Sequence, residues 1–338
     1  MDLKLYEFDM KLKYPFSISR HTYYSQANII IELQHNGISG FGEATINPYY
    51  NITLDNLKDT FNLMNQRLDN YSFQTPDQLF EDFSDFLVVN SFALGALNNA
   101  SWDLYGKLTN CPVSKFIDLP FGAKPLTSYT LGIADRHEIL QKMQELPWPI
   151  YKIKLGTSND LELIEFIRKH TNSNIRVDAN CAWNAEKTIQ LSRNFKMLDI
   201  EFIEQPLPAN DDQQRDCYVK SELPLFADES CCLESDVEKC VNSFHGINIK
   251  LLKCGGLTPA LRMIKKAREF GLKIMVGCMT ETSVGISAAA QLLPFVDFAD
   301  LDGPLLLAED VADGLGYDHG KIHLSDQNGL GVLFRGRK

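Results

Sequence analysis

Apolar and polar residues alternate through "KLYEFDMKLKYPF", "ANIIIELQHNG" and "ISGFGEATI" near the start of the chain. A period of two predicts β-strands with one buried face. Asn36-Gly37, between the last two runs, predicts a tight hairpin turn. The period then becomes helical over roughly 53–69, 76–89 and 91–109. Strands followed by helices predict a separate α+β domain, residues 1–122, with "LPFGAKPLTS" as the linker out of it. Beyond the linker, short β-branched runs recur: "SYTLGI", "YKIKLG", "IRVDAN", "EFIEQP", "LFADES", "GINIKL", "KIMVGC" and "VDFADLDG". Their starts lie 21 to 27 residues apart. Helix-period stretches such as "DLELIEFIRKH", "NAEKTIQLSRNFKML" and "TPALRMIKKAREFG" separate them, and Gly271 stands where the last would end. Strand alternating with helix predicts a parallel sheet of βα units. Eight such strands in about 180 residues fit a closed α/β barrel over 123–320. An open doubly wound sheet would carry a Gly-rich phosphate turn after its first strand, and "SYTLGIADRHE" has none. The tail 321–338, "KIHLSDQNGLGVLFRGRK", is too long for barrel closure and is expected to pack back on the first domain.

Composition narrows the class. The 338 residues are 44% hydrophobic and 23% charged, the balance of an ordinary globular protein. The net charge of −11, from 33 basic and 44 acidic residues, opposes sequence-independent binding to nucleic acid or anionic membrane. No apolar run approaches the length of a membrane span, and the N-terminus lacks the apolar core of a signal peptide. The eight cysteines form no C-x-x-C pair, which argues against zinc or thioredoxin-type chemistry. Reduced, buried thiols and a cytoplasmic location are expected.

The strand ends carry the chemistry. Catalytic groups of such barrels sit at the C-terminal ends of the strands. The third, fourth and fifth barrel strands end in Asp178, Glu204 and Asp228. Three clustered carboxylates repel one another unless a cation neutralises them. Oxygen-only ligands with room for substrate favour Mg²⁺. Lys152 and Lys154 share one face of the second strand, and Lys250 ends the sixth, across the mouth. Repulsion and desolvation of two adjacent ammonium groups predict a neutral amine fit to be a general base. Lys154 is assigned as that base and Lys250 as the acid/base opposite. Lys152 tunes its neighbour or touches a carboxylate oxygen. A base, a facing acid and a metal between them suit removal and return of a proton α to a carboxylate. That proton is so weakly acidic that electrostatic stabilisation must supply on the order of 8 kcal/mol or more. A single buried Lys or Asp is commonly just an ion pair; six such residues on five consecutive strands point to a site.

"YKIKLG", "RVDAN", "FIEQPL", "ADES", "NIKLLKCGG" and "GCMTETSVG", with "GFGEA" and "FALGALNNASWDLYGK", make the chain similar to the enolase superfamily, in its muconate-lactonizing-enzyme subgroup. The resemblance covers nearly the whole chain. It implies a (β/α)7β TIM-like barrel under an N-terminal α+β capping domain, with Mg²⁺ on Asp178, Glu204 and Asp228. It also implies Lys154 and Lys250 as the acid/base pair.

"DFADLDGPLL" sets Asp300 and Asp302 two apart, suited to a substrate ammonium. This D-x-D resembles the clamp of dipeptide epimerases on a dipeptide's α-amino group. The expected activity is therefore 1,1-proton transfer through an enediolate at the C-terminal residue of a dipeptide, L-Ala-D/L-Glu first, serving murein peptide metabolism by analogy. In "FSISRHTYYSQ", loop spacing sets His21 nearer the substrate side chain, with Arg20 adjacent. This departs from the arginine that members acting on L-Ala-D/L-Glu carry there. Cys278, Met279, Thr280 and Thr130 are further expected substrate contacts. The alternatives are an N-acyl or N-succinyl amino acid racemase, an o-succinylbenzoate synthase, or a metal-stabilised binding barrel without turnover. A homo-oligomer is compatible with the family, although no interface signature stands in the sequence.

Overall fold

The computed structural model describes residues 1–336. The alternating N-terminal runs form an antiparallel sheet of β1 (Asp2–Ile18), β2 (His21–His35) and β3 (Ile38–Thr45), in that order. Asn36 and Gly37 take φ of 51° and 75° between the paired His35 and Ile38, the left-handed geometry that a two-residue hairpin demands. The helices that follow are α1 (Leu54–Leu68), α2 (Pro76–Asp82) and α3 (Phe86–Leu108). Thr53 and Asn56 cap the start of α1 reciprocally. The gap expected near residue 90 is a bend inside α3. Asn90 is extended there (φ −161°, ψ 94°), and its side chain accepts from the Ala93 N–H at 3.0 Å. A further break, which was not expected, separates α2 from α3 between Asp82 and Phe86.

The sheet lies on α3, which is buried along most of its length. Gly40 and Gly42 let the two backbones meet: a Cβ on Gly42 would collide with the Ala96 carbonyl, and one on Gly40 with that of Ala100. This close approach explains the glycines of "GFGEA".

The second half is an eight-stranded parallel sheet: β4 (Tyr129–Leu131), β5 (Ile150–Lys154), β6 (Asn174–Asp178), β7 (Ile200–Glu204), β8 (Leu225–Ala227), β9 (Gly246–Lys250), β10 (Lys273–Gly277) and β11 (Phe298–Asp300). A Thr127–Ala299 bridge and the Ser128 N–H on the Ala299 carbonyl close it into a barrel. Between the strands run α4 (Arg136–Glu145), α5 (Asp160–Arg168), α6 (Ala185–Met197), α7 (Gln214–Lys220), α8 (Leu251–Cys254), α9 (Leu257–Glu269), α10 (Ser283–Ala290) and α11 (Gly303–Leu306). The β8–β9 connection has only short 3₁₀ turns, at Glu234–Asp236 and Glu238–Cys240.

Inward positions two residues apart fall into layers. Phe202, Phe226 and Phe298 plug the lower barrel, with ring centres 4.3 to 5.4 Å apart. The Arg176 guanidinium lies 5.4 and 5.1 Å from the Phe202 and Phe298 ring centres. Two residues further along these strands stand Asp178, Glu204, Asp228 and Asp300.

After α11 the chain adds β12 (Ala312–Asp313), β13 (Leu315–Asp318), β14 (Lys321–Leu324) and β15 (Leu333–Phe334). Phe334 sits against Tyr6, Phe8 and Phe41 of the first sheet. Among the described residues no helix is long and apolar enough to cross a membrane.

Gly42→Val should lower stability by about 3 kcal/mol, because neither sheet nor helix backbone can yield. Thermal unfolding of the variant beside wild type measures it.

Candidate active site

β5 ends in Lys152 and Lys154, both buried inside the barrel. Lys152 reaches three carboxylates: Asp300 at 2.6 Å, Glu204 at 2.7 Å and Asp178 at 3.3 Å. Lys154 donates to Asp178 Oδ2 at 2.6 Å. Across the barrel, Lys250 at the end of β9 donates to Asp228 Oδ2 at 2.7 Å. Burial opposes charge on Lys152, but its three carboxylates outweigh it and hold the ammonium well above the usual lysine range. Lys250 is likewise raised against its burial, chiefly by Asp228. Here the structure corrects the expectation of bare repulsion between neighbours: Asp178 Oδ2 meets both Lys152 and Lys154, at 3.3 and 2.6 Å, and the carboxylates around Lys152 keep that residue charged.

Asp178, Glu204 and Asp228 are buried and offer oxygens that all lie within 4.8 Å of one another. Burial and the Asp178 charge push Glu204 up to about 7. Asp228 is held well below the usual carboxylate range: burial raises it, but Lys250 and Lys253 prevail. Three converging oxygens of this kind are the donor set of a hard divalent cation.

The sequence reading missed the residues that aim this trio. Lys253, fully buried on α8, donates to Asp228 Oδ1 at 2.7 Å and to the carbonyls of Asp228, Cys231 and Asn248. Asn248 donates to Glu204 Oε1 at 2.8 Å. Gln205 takes φ of 35°, and its Oε1 accepts from the Asp228 and Ser230 N–H groups, pinning β7 to the β8 rim. Asn180 and Cys181 also take left-handed φ, at 45° and 65°, just beyond Asp178. A second lysine three residues after Lys250 was the available signal for Lys253. Nothing in "EQP" reveals the fold-back of Gln205.

Above the trio lies a cavity whose walls include Lys152, Lys154, Lys250, Asp228, Asp300, Asp302, Thr130, Cys278, Met279, Thr280 and Arg20. Asp178 and Glu204 lie beneath it, fully buried. Asp300 ends β11 with both oxygens engaged, Oδ1 by Ser128 and Oδ2 by Lys152, each at 2.6 Å. Asp302 accepts from the Thr130 N–H at 2.6 Å. Burial and the Asp300 charge push Asp302 up to about 7. The Cys278 thiol donates to the Asp300 carbonyl at 3.3 Å, and Met279 Sδ accepts from Asn47 Nδ2 at 3.5 Å.

The β1–β2 turn reverses the expected order of Arg20 and His21. Arg20 turns into the cavity and meets Glu229 at 3.0 Å. His21 pairs with Ile18 as β2 begins, is exposed, and packs on the Tyr23 ring outside the cavity. The missed aromatic wall, Tyr23, Tyr49 and Tyr50, comes from β2 and the turn after β3.

Glu43 of β3 joins this capping segment to the barrel. Fully buried, it accepts from the Thr282 N–H and hydroxyl and from the Gly285 N–H at the start of α10. Asn28 donates both to Glu43, at 2.6 Å, and to the Thr280 carbonyl, at 3.3 Å. Beside it, buried Glu281 accepts from the Met279 N–H at 2.9 Å. Burial pushes Glu43 up to about 7. Burial and the Glu43 charge push Glu281 up to about 8.

Comparison with known proteins agrees with this geometry. A model of the mandelate racemase / muconate lactonizing enzyme N-terminal domain matches residues 1–118, and one of the enolase C-terminal domain-like group matches 135–338. An L-Ala-D/L-amino acid epimerase of Flavobacterium johnsoniae is 48% identical over 333 residues, covering 98% of this chain and 99% of that protein. The substrate-liganded L-Ala-D/L-Glu epimerase of Bacillus subtilis superposes with a TM-score of 0.93 at 25% identity, covering 99% and 98% of the two chains. A dipeptide epimerase of Cytophaga hutchinsonii, complexed with Mg and D-Ala-L-Val, gives 0.91 at 26% identity, covering 98% and 95%.

Glu43 and Glu281 hold protons in the folded state that an unfolded glutamate, titrating near 4.5, has released. Between about pH 5 and 8 the folded chain therefore binds more protons, and stability from this pair falls as pH rises. One excess proton is worth about 1.4 kcal/mol per pH unit. Glu281→Gln, which cannot ionise, should flatten that slope when thermal midpoints are measured from pH 6 to 8.

Proposed function

The chain belongs to the mandelate racemase / muconate lactonizing enzyme family, and from that premise we propose that it is a Mg²⁺-dependent dipeptide epimerase. The observation that carries this reading is the pair Lys154 and Lys250, on strands four apart in an eight-stranded barrel, facing each other over one carboxylate trio. Two amines on opposite faces of a carbon are what inversion at that carbon requires.

Asp178, Glu204 and Asp228 hold the ion in this reading. The ion, once bound, would supply positive charge against the trio, the substrate carboxylate and the negative charge that develops as the α-proton leaves. Lys154 as the free amine takes the α-proton from one face and becomes an ammonium, while Lys250 as the ammonium gives a proton to the other face and becomes the amine; the roles and protonation states exchange for the opposite stereoisomer. Such a base contributes about 10²–10⁴-fold. Lys152 keeps its charge among Asp178, Glu204 and Asp300 and offsets the carboxylate excess beneath the cavity. Asp300, fixed by Ser128 and Lys152, and Asp302, fixed by the Thr130 N–H, receive the α-ammonium of the first residue. Both carboxylates lie in the cavity wall, which disfavours N-acyl or N-succinyl substrates lacking that ammonium. Thr130, Cys278, Met279, Thr280 and Arg20 bound the rest of the substrate space. The substrate is an L-Ala-L-Xaa dipeptide epimerised at Xaa, placed in murein peptide metabolism by analogy. The family and the absence of a spanning helix among the described residues support a cytoplasmic enzyme, with a homo-oligomer compatible.

The test is ¹H NMR of L-Ala-L-Xaa dipeptides in D₂O with protein and Mg²⁺. The Xaa α-proton signal should vanish as a diastereomer appears, and chelation by EDTA should stop both. Lys154→Ala should cut exchange at least about 10²-fold. A Lys154→Ala protein exchanging at the wild-type rate would end the two-lysine mechanism. Asp300→Asn with Asp302→Asn should abolish dipeptide turnover, and retained turnover would sink the ammonium clamp.

A further inference from the structure

Among the residues lining the cavity, Arg20 is the only cation that the first, capping segment supplies. It is engaged on three sides. Its Nη2 donates to Glu229 Oε1 at 3.0 Å, and its Nη1 donates to the Asn180 carbonyl at 3.1 Å. Its guanidinium carbon lies 4.2 Å from the centre of the Tyr49 ring. The Glu229 side chain is only 3% exposed, against 33% for Arg20. The second oxygen of Glu229, Oε2, is buried with no hydrogen-bond partner among the described residues.

A free guanidinium here would receive a substrate carboxylate through two parallel hydrogen bonds. This one is already paired. A glutamyl side chain entering the cavity would have to pull Arg20 from Glu229 and leave a buried carboxylate beside Asp228 without its cation. Stranding a buried charge costs more than an exposed contact returns. The rest of this wall carries no charge: apolar and aromatic Ile18, Tyr23, Tyr49, Tyr50 and Met279 stand beside neutral polar residues such as Gln26 and Asn47. Such surfaces gain by covering a neutral side chain.

We infer that Glu229 is a specificity-determining residue: it cancels Arg20, so that the epimerised residue carries a neutral apolar or aromatic side chain and acidic side chains are disfavoured. This rests on the epimerase reading above. Glu229 acts through Arg20, and removing its charge releases the guanidinium to bind an acid.

The experiment compares kcat/KM for α-proton exchange of L-Ala-L-Phe, L-Ala-L-Met and L-Ala-L-Glu, with Mg²⁺, by wild type, Glu229→Gln, Arg20→Gln and the double variant. Wild type should favour the neutral dipeptides by about tenfold or more. Glu229→Gln should move the Glu-to-Phe ratio toward Glu by roughly tenfold, and Arg20→Gln in that background should erase the gain. Arg20→Gln alone leaves Glu229 unpaired in the cavity wall and should move the ratio no closer to Glu than in wild type. The proposal is overturned if wild type prefers L-Ala-L-Glu and Arg20→Gln removes that preference. It is overturned equally if Glu229→Gln still turns over L-Ala-L-Phe at an unchanged ratio. Should Glu229→Gln fail to fold, wild type and Arg20→Gln decide: a wild-type preference for the neutral dipeptides that Arg20→Gln does not reverse supports the proposal, and a wild-type preference for L-Ala-L-Glu that Arg20→Gln abolishes refutes it. Exchange of no dipeptide by wild type instead removes the epimerase reading, and this inference with it.

Discussion

Everything at the mouth of the barrel follows from the need to bury several carboxylates together. Asp178, Glu204 and Asp228, at the ends of neighbouring strands, and Asp300, three strands further round the barrel, stand almost fully desolvated. Left alone, such a group would take up protons and lose its capacity to hold a cation. Four lysines oppose this, each from a different place, and hold Asp178, Asp228 and Asp300 low while Glu204 is still pushed up to about 7. Lys152 bridges three of the acids from the cavity wall, and Lys154 takes Asp178. Lys250 and Lys253 divide the two oxygens of Asp228 between them. Removing one member leaves an uncompensated buried charge. The arrangement is thus a single electrostatic unit, and the aromatic plug of Phe202, Phe226 and Phe298 beneath it keeps water from relaxing it.

A charged mouth needs a roof, which the first sheet and its turns supply. The seam is polar as well as apolar. Glu43 caps α10 together with the local Thr282 hydroxyl, which accepts from the Val284 N–H, and Asn28 ties that cap to the Thr280 carbonyl. The segment 278–282, which lines the cavity, is therefore held from the capping side by side chains of β2 and β3. Gly42, one residue from Glu43, brings β3 onto the α3 backbone. The packing of sheet on helix and the position of a cavity-lining loop thus share one short motif.

The sequence made the barrel and its charged rim legible for a physical reason. Strand residues of a parallel barrel are buried on both faces, so each Lys, Asp or Glu within one needs a special cause. Helix starts were legible where caps are local, as at Thr53. The break between Asp82 and Phe86 was not, because no Gly or Pro marks it, whereas the kink at Asn90 fell where a gap was expected. The β8–β9 connection escaped too, since short 3₁₀ turns carry no strong period. In the site, what escaped acts across strands: Gln205 folding back onto the β8 rim, Asn248 reaching Glu204, and Arg20 rather than His21 entering the cavity. A one-residue change in direction at a hairpin turn cannot be read from spacing, because it depends on which side chain finds a partner. Arg20 found Glu229, from a strand more than two hundred residues away.

That same contact separates two tasks within one cavity. The proposed proton-transfer groups stand on strand ends, where the barrel fixes their directions and one alteration disturbs the whole charge unit. The wall facing the substrate side chain comes from a hairpin turn, the turn after β3 and the segment after β10, which touch the unit at its edge. Glu229 sits at that border, next to Asp228 in sequence yet paired with a residue of the roof. A change of partner for Arg20 can therefore alter which side chain is accepted while the lysines and the trio keep their geometry. On this argument the reaction is written in the strands, and the choice of substrate in a single ion pair above them.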